Sequence, residues 1–243
     1  MIEISELLGY EKYKIVQDTN YFKFSIDSVL LGHFVDTKHK KNIIELGCGN
    51  GPVLMYLTLK TKERITGVEL QKEVFDLCEK SLEINNLNDK ITLINDNLKD
   101  IYKKLGNNKY DCVISNPPFF KYEASSLINE NRVKSIARHE IEATLDDIVK
   151  EARRLLCEGG SLFMVHRTNR LADLLNVLNK YSFGVKKIRF VYSKANSDDS
   201  LMFLIEAKAN KKDDCKVLKP LYIYDDSNNY TKEVLDIFNY KEE

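Results

Sequence analysis

From Asn42 onward, short apolar runs alternate with stretches of helical spacing. Asn42–Leu46, Ile65–Leu70, Ile91–Ile94, Asp111–Ser115 and Ser161–Val165 read as strands. Residues 52–60, 72–85, 143–156 and 169–180 read as helices. In 72–85, Val74, Leu77, Cys78, Leu82 and Ile84 recur at the spacing that lines one helix face. Gly159-Gly160, after Leu155-Leu156, predicts a helix stop and a turn. Strands that alternate with helices predict a mostly parallel sheet covered on both faces. Ahead of this region, Tyr13–Phe24 alternates as a strand does and Ser25–Phe34 reads as a short helix. Beyond residue 180, Val185–Tyr192 and Met202–Lys208 predict an antiparallel pair at one sheet edge, joined by the polar stretch Ser193–Ser200. Tyr230–Tyr240 predicts an amphipathic helix with Val234, Leu235 and Phe238 inward. The expected organisation is one domain at 41–210, with an N-terminal extension at 1–40 and a tail at 211–243.

Composition narrows the setting. The 43% hydrophobic content suffices for a core, and 30% charge marks a soluble surface. No apolar run approaches the ~20 residues of a membrane span, and the acidic start Met1–Glu6 lacks a signal-peptide pattern. Five scattered cysteines, an odd number and never C-x-x-C, argue for reduced thiols in the cytoplasm. Neither they nor the four histidines have metal-ligand spacing, so no metal is expected. Lys+Arg and Asp+Glu balance at 37 each, yet six of the eight arginines lie between Arg132 and Arg170. Nearby acids nearly cancel them, which leaves room for a local phosphate-contacting rim rather than a broad basic face.

The densest chemistry is Ser115-Asn116-Pro117-Pro118-Phe119-Phe120, directly after the apolar run Cys112-Val113-Ile114. Asn116 therefore sits at a strand's carboxyl end, the edge where open α/β sheets bind ligands. Two prolines stop the strand and remove two backbone N–H donors. The Asn116 side-chain oxygen and the Pro117 carbonyl remain as acceptors beside an aromatic face, a corner suited to a planar NH2 group. A plain β-turn closed by Pro-Pro over core phenylalanines accounts for the same letters.

Ile43-Ile44-Glu45-Leu46-Gly47-Cys48-Gly49-Asn50-Gly51-Pro52 places a glycine-rich turn between the first core strand and its helix. A dinucleotide turn needs a third glycine where Pro52 stands. Glu45 also puts negative charge where a pyrophosphate needs the opposite; a carboxylate there fits a cationic ligand. Glu69, 18 residues past Gly51, ends the next strand, where an acid can accept from ribose hydroxyls. Asp96-Asn97 closes the third strand, and reads either as an acceptor for an adenine amino group or as an Asx-type turn.

Together, Glu45–Gly51, Glu69, Asp96 and Asn116-Pro117-Pro118-Phe119 resemble the successive motifs of the Rossmann-like S-adenosylmethionine-dependent methyltransferases. The Asn-Pro-Pro-aromatic element resembles that of the branch methylating amino groups. Phe24–Leu31, Ala137–Glu140 and Val165–Leu171 are further similar to the bacterial tRNA1(Val) (adenine-37-N6)-methyltransferase family, over about residues 10 to 210. The resemblance implies a class I α/β fold: a mostly parallel seven-stranded sheet, an antiparallel edge strand, and helices on both faces. It implies S-adenosyl-L-methionine as cofactor, held by Asp27, Glu45, Gly47, Cys48, Gly49, Gly51, Glu69, Leu70, Asp96, Asn97 and Asn116, with Asp27 closing the pocket from the N-terminal segment. It implies catalysis by Asn116, Pro117, Pro118 and Phe119 on a tRNA substrate. Phe120, Lys121, Lys134, Arg138, His139, Arg167 and Arg170 are the candidate RNA contacts. His139 and His166 are read as structural or phosphate-contacting rather than as bases.

Rival readings stay in the same chemistry or leave it. Phe119, where many adenine N6 enzymes carry Tyr, also fits guanine N2 methylation of rRNA. Release-factor glutamine methylation shares the motif but pairs it with a helical N-terminal domain, and only about forty residues precede the first core strand here. A non-catalytic cofactor-binding RNA module has no need of paired NH2 acceptors.

Overall fold

A computed structural model describes residues 1–21, 24–117 and 143–238. Its elements run in chain order as follows: β1 (Ile2–Leu7), β2 (Tyr10–Asp18), α1 (Ile26–Phe34), β3 (Ile43–Leu46), α2 (Pro52–Leu57), β4 (Ile65–Glu69), α3 (Lys72–Ile84), β5 (Ile91–Asn95), α4 (Tyr102–Leu105) and β6 (Tyr110–Ser115). After the undescribed stretch come α5 (Leu145–Leu155), β7 (Leu156–Arg167), α6 (Leu171–Lys180), β8 (Phe183–Tyr192), β9 (Met202–Ala209), β10 (Lys216–Val217), β11 (Leu221–Tyr222) and α7 (Lys232–Phe238).

The large sheet runs β10-β8-β9-β7-β6-β3-β4-β5, and β11 also pairs with β8. Strands β7, β6, β3, β4 and β5 are mutually parallel, so their carboxyl ends share one edge. Seven strands form the expected core, and the two short strands β10 and β11 extend it to nine. The antiparallel member, β9, lies between β7 and β8 rather than at the rim. The short link after β8 returns the chain alongside it, and β9 fills the gap to β7.

Successive residues of each strand serve opposite faces, as the pleat dictates. Ile43, Cys112, Ile114, Phe163 and Val165 pack with α1, α2, α3 and α7; Ile44, Val113, Leu162 and Met164 pack with α5 and α6. Helix α5 opens on a capping box in which Thr144 and Asp147 satisfy each other's backbone N–H groups. It stops at Leu155, and β7 begins at once. The expected stop at Gly159-Gly160 is instead a bulge: the pairing of β6 with β7 jumps from Tyr110↔Leu156 to Cys112↔Ser161. Gly159, at φ 73°, takes the left-handed conformation that this detour needs.

The N-terminal hairpin β1–β2 is more extensive than the strand read from sequence, and β1 was not foreseen. It is stitched to α3: Ser81 Oγ accepts from Val16 N–H at 2.9 Å, and the Asn85 side chain pairs with both backbone groups of Lys14. In α7, Val234, Ile237 and Phe238 turn inward while Leu235 is exposed, a correction to its expected inward position. The spacing i, i+3, i+4 defines one helix face and leaves i+1 outside it.

Candidate active site

The glycine turn leaves β3 and enters α2. Gly47 N–H and Cys48 N–H both donate to the Val68 carbonyl, at 2.9 and 3.0 Å, which folds the turn over the end of β4. Gly51, at φ 89°, is the residue before α2, and a Cβ there would lie 2.5 Å from Cys78 Sγ. A Cβ on Gly47 or Gly49 would meet nothing within 4 Å. One glycine thus serves packing and two border open space. Cys48 and Cys78 lie against each other beneath the turn, and their hydrogen bond, with burial, holds the Cys48 thiol well above its ordinary range.

Two carboxylates meet under this turn. Glu45 is only 1% exposed, and among the described residues its Oε2 has no hydrogen-bond partner. Burial, then the neighbouring Glu69 charge, pushes its carboxyl well above the usual range, and the Leu54 N–H at the start of α2 only partly opposes this. Glu69 ends β4 and is tied into the backbone: Gly49 N–H donates to Oε2 at 3.0 Å and Gln71 N–H to Oε1 at 2.8 Å. Burial raises its pKa and those N–H groups pull it back. Leu70 follows, exposed. At the end of β5, Asp96 is half-buried; Lys104 and the Asn97 N–H bond its two oxygens, and the Lys104 bond chiefly holds its carboxyl below the usual range.

Next to the turn, Ser115 Oγ donates to the Leu46 carbonyl at 2.9 Å, fixing the end of β6 beside the end of β3. Asn116 is the following residue, so the glycine turn and the Asn-Pro corner are neighbours on the carboxyl edge. Asn116 Nδ2 donates to Ser28 Oγ at 3.3 Å. No described residue donates to its Oδ1. Pro117 is buried at the strand's end. Pro118, Phe119, Phe120, Lys121, Lys134, Arg138 and His139 lie outside the described residues.

Ser28 belongs to the first turn of α1. Asp27 is buried beside it, and its Oδ1 accepts from Ser25 Oγ and from the Ser28 N–H. At the other end of α1, Lys60 Nζ donates to the carbonyls of Gly32, His33 and Val35, and burial pulls its pKa down to about 8. A Cβ on Gly32 would lie 2.8 Å from Tyr56 Cβ, so α1 and α2 touch backbone to side chain.

His166 and Arg167 end β7 on the same edge. His166 is fully buried and its Nδ1 accepts from the Arg167 N–H at 2.9 Å. Burial, and then the Arg170 guanidinium, lowers its pKa to about 3, which fits a structural imidazole. Arg167 is half-buried at the edge. Arg170 is 7% exposed and its Nε donates to Asp173, so its head is committed within the protein, at odds with an open phosphate contact.

Ser28 is the residue that sequence reasoning passed over. It stood within a noted motif, but its partner is 88 positions away and no local spacing connects them. The parts present fit a ligand with an ammonium group, for the unpartnered oxygen of Glu45, and with vicinal hydroxyls, for the spare lone pairs of Glu69. Among the described residues no cluster of His, Cys, Asp and Glu could hold a metal, and no helix is long and apolar enough to cross a membrane.

Known proteins resemble this chain in sequence and in fold. A Shewanella woodyi protein named tRNA1(Val) (adenine(37)-N6)-methyltransferase is 24% identical, covering 87% of this chain and 88% of its own. A Dyadobacter fermentans protein of the same name is 28% identical over 68% of each chain. The crystal structure of an Agrobacterium tumefaciens protein, titled a predicted O-methyltransferase, superposes with a TM-score of 0.70 at 21% identity, covering 88% of this chain and 95% of its own. The sheet order and helix layers are those of the Rossmann-like S-adenosylmethionine-dependent methyltransferases. The model of the methyltransferase small domain matches residues 14–193, and the chain belongs to that family.

Proposed function

We propose that the protein transfers a methyl group from S-adenosylmethionine to N6 of an adenine in a tRNA anticodon loop, at a position of the 37 type, in the cytoplasm. The observation that carries this reading is Asn116: its amide nitrogen is used inside the protein, while its oxygen has no donor among the described residues. The names of the relatives support the choice of tRNA and of adenine.

S-adenosylmethionine, when bound, supplies an electrophilic methyl group on a sulfonium. Glu45 would hold its ammonium, Gly47, Cys48 and Gly49 would give it close backbone approach, and Glu69 with Leu70 would take the ribose. Asp96 and the Asn97 backbone would read its adenine, Asp96 doing so while it keeps Lys104. Asp27 would act mainly through the first turn of α1.

The exocyclic nitrogen of adenine is a weak nucleophile because its lone pair is delocalised into the ring. Asn116 Oδ1 and the Pro117 carbonyl would each accept one N6–H, draw the nitrogen toward tetrahedral geometry and aim its lone pair. This is catalysis by positioning and by complementarity to the charge that develops on nitrogen. A strong general base is not required, since the methylated, cationic nitrogen is acidic. Phe119 or Phe120 would stack on the base, and a loop adenine enters such a pocket at less cost than a paired one. Lys121, Lys134, Arg138, His139 and Arg167 would meet phosphates.

We read residues 41–210 as the catalytic domain, 1–40 as an extension over the cofactor side, and 211–243 as a tail. The stitching of β2 to α3 supports the placement of the extension, and the contact of Gly9 with Phe238 supports a tail closed against it.

The test is incubation with labelled cofactor and total tRNA from a strain lacking the gene, then nucleoside mass spectrometry. N6-methyladenosine is expected; N2-methylguanosine or no nucleoside product would overturn the reading.

A further inference from the structure

We propose that a hollow at the amino edge of the large sheet binds a small phosphate monoester, at a site separate from the carboxyl edge. The proposal does not depend on which substrate that other edge takes.

The hollow measures about 320 Å³ and is bordered by the starts of β3, β4, β5 and β6 and by the end of α4. Its place follows from the link between β5 and β6, which carries only the four-residue helix α4. So short a helix leaves the first half of β4 and β5 incompletely covered on that face. Parallel strands covered on both faces are nearly all apolar. Here Thr66 and Thr92 instead stand side by side in register, both half-buried, next to the fully buried Ile44.

The polar groups around the hollow are rich in donors. Arg64 Nε donates to Thr92 Oγ1 at 2.7 Å, which fixes the guanidinium beside the hollow and leaves the Thr92 hydroxyl proton to donate elsewhere. No described residue bonds to the Arg64 Nη groups or pairs with Lys109 Nζ. Lys109 lays its stem against Gly106, where a Cβ would lie 3.2 Å from Cγ and from Cε. The buried Tyr110 phenol meets the Thr66 hydroxyl, whose hydrogen bond partly offsets the rise that burial imposes on its pKa. No carboxylate lines the hollow. Asp111, next to Tyr110, is committed to the N–H groups of Lys41 and Asn42 and to the Cys157 thiol.

This donor set selects an anion. Arg64 and Lys109 precede β4 and β6, the two neighbours of β3, so their backbones stand about 10 Å apart. Two long side chains span that gap and can meet on one ligand. A guanidinium fork, an ammonium and a hydroxyl donor serve the three oxygens of a dianionic phosphate, where a planar carboxylate offers two. Leu105, half-buried at the end of α4, gives an apolar wall for the organic part. The volume falls at the low end of the range for ligand sites, about 300–1,000 Å³. Arg64 and Glu69 stand at opposite ends of β4, about 16 Å apart, so both edges can be occupied together.

The experiment follows the backbone amide signals of the full chain by NMR at constant ionic strength, with phenyl phosphate, inorganic phosphate or succinate replacing chloride. Phenyl phosphate is expected to shift the Thr66 and Thr92 signals saturably, with half-saturation at about 1 mM or below, and inorganic phosphate to need more. Arg64→Gln and Lys109→Gln should each raise the half-saturating concentration about tenfold. Leu105→Ala should weaken phenyl phosphate and leave inorganic phosphate unchanged. No saturable shift, or the same half-saturation in both charge variants, overturns the proposal. Tighter binding of succinate overturns the assignment to phosphate, and saturation by an RNA oligonucleotide without a terminal phosphate below the level of phenyl phosphate overturns the assignment to a small ligand. Should Arg64→Gln unfold, Lys109→Gln decides alone, since its ammonium has no described partner to lose.

Discussion

The two halves of the sheet's carboxyl edge are held by different means. On the side of β3, β4 and β5, backbone groups do the holding: Gly47 and Cys48 N–H groups bond the Val68 carbonyl, and Gly49 and Gln71 N–H groups bond Glu69. On the side of β6 and β7, side chains that reach distant segments do it: Ser28 with Asn116 and Ser115 with the Leu46 carbonyl. In the proposed reading the first half would bind the cofactor, which is the same for every substrate. The second would present the Asn116 amide to one kind of amine, and a side chain can be tuned there without disturbing the turn.

The sharpest way to separate the halves is Asn116→Ala. It removes the acceptor without touching the glycine turn, so kcat is expected to fall by about 10²–10³ while calorimetric cofactor affinity stays within about threefold. A parallel loss of cofactor affinity would erase the distinction between the halves.

Within the cofactor half, two glycines sharpen the comparison. Gly51→Ala forces a methyl against Cys78 Sγ at a left-handed φ of 89°. It should cost about 2–4 kcal/mol of unfolding free energy in urea titration. Gly49→Ala places its methyl in open space at φ 57°, so its folding cost is about 1 kcal/mol. Its larger effect is expected on cofactor affinity, about tenfold or more by calorimetry, because the methyl stands where the ligand backs onto the turn. Normal cofactor binding by Gly49→Ala would mean that the turn is a packing device throughout.

The same contrast explains what could be read from the letters. The cofactor half is encoded within contiguous segments: Glu45 to Pro52 carries strand, turn and helix start together, and Glu69 follows at the next strand's end. The Asn-Pro-Pro corner is equally local. Ser28 is not, since the bond that gives it meaning closes a loop of 88 residues. The hairpin strand β1 escaped for another reason. Its apolar residues Ile2 and Ile4 are exposed while Glu3 and Ser5 are half-buried, so the two-residue pattern is inverted relative to burial. At Gly159-Gly160 the letters announce a turn, but a bulge within a strand uses the same glycines for the same left-handed step.

Titration sets the halves against each other with opposite signs. Burial keeps His166, on the substrate half, neutral with a pKa near 3, against about 6.5 when unfolded. Between those values the unfolded chain binds the extra proton, so this residue makes stability fall as pH drops below about 6.5, by about 1.4 kcal/mol per pH unit. Glu45, on the cofactor half, has its pKa raised by burial and by Glu69. Its folded form takes up a proton first, so its contribution to stability rises as pH falls through the folded pKa toward the unfolded one. Urea titrations at pH 7.5, 6 and 5 on wild type, His166→Gln and Glu45→Gln resolve the two. His166→Gln should lose the acid-side decline, and Glu45→Gln should steepen it. A saturating cofactor should remove much of the Glu45 contribution, because an ammonium beside Oε2 favours the ionised carboxylate and lowers its pKa. If the cofactor leaves the pH dependence of Glu45 unchanged while still binding, Glu45 does not face that ammonium, and its unpartnered oxygen needs another explanation.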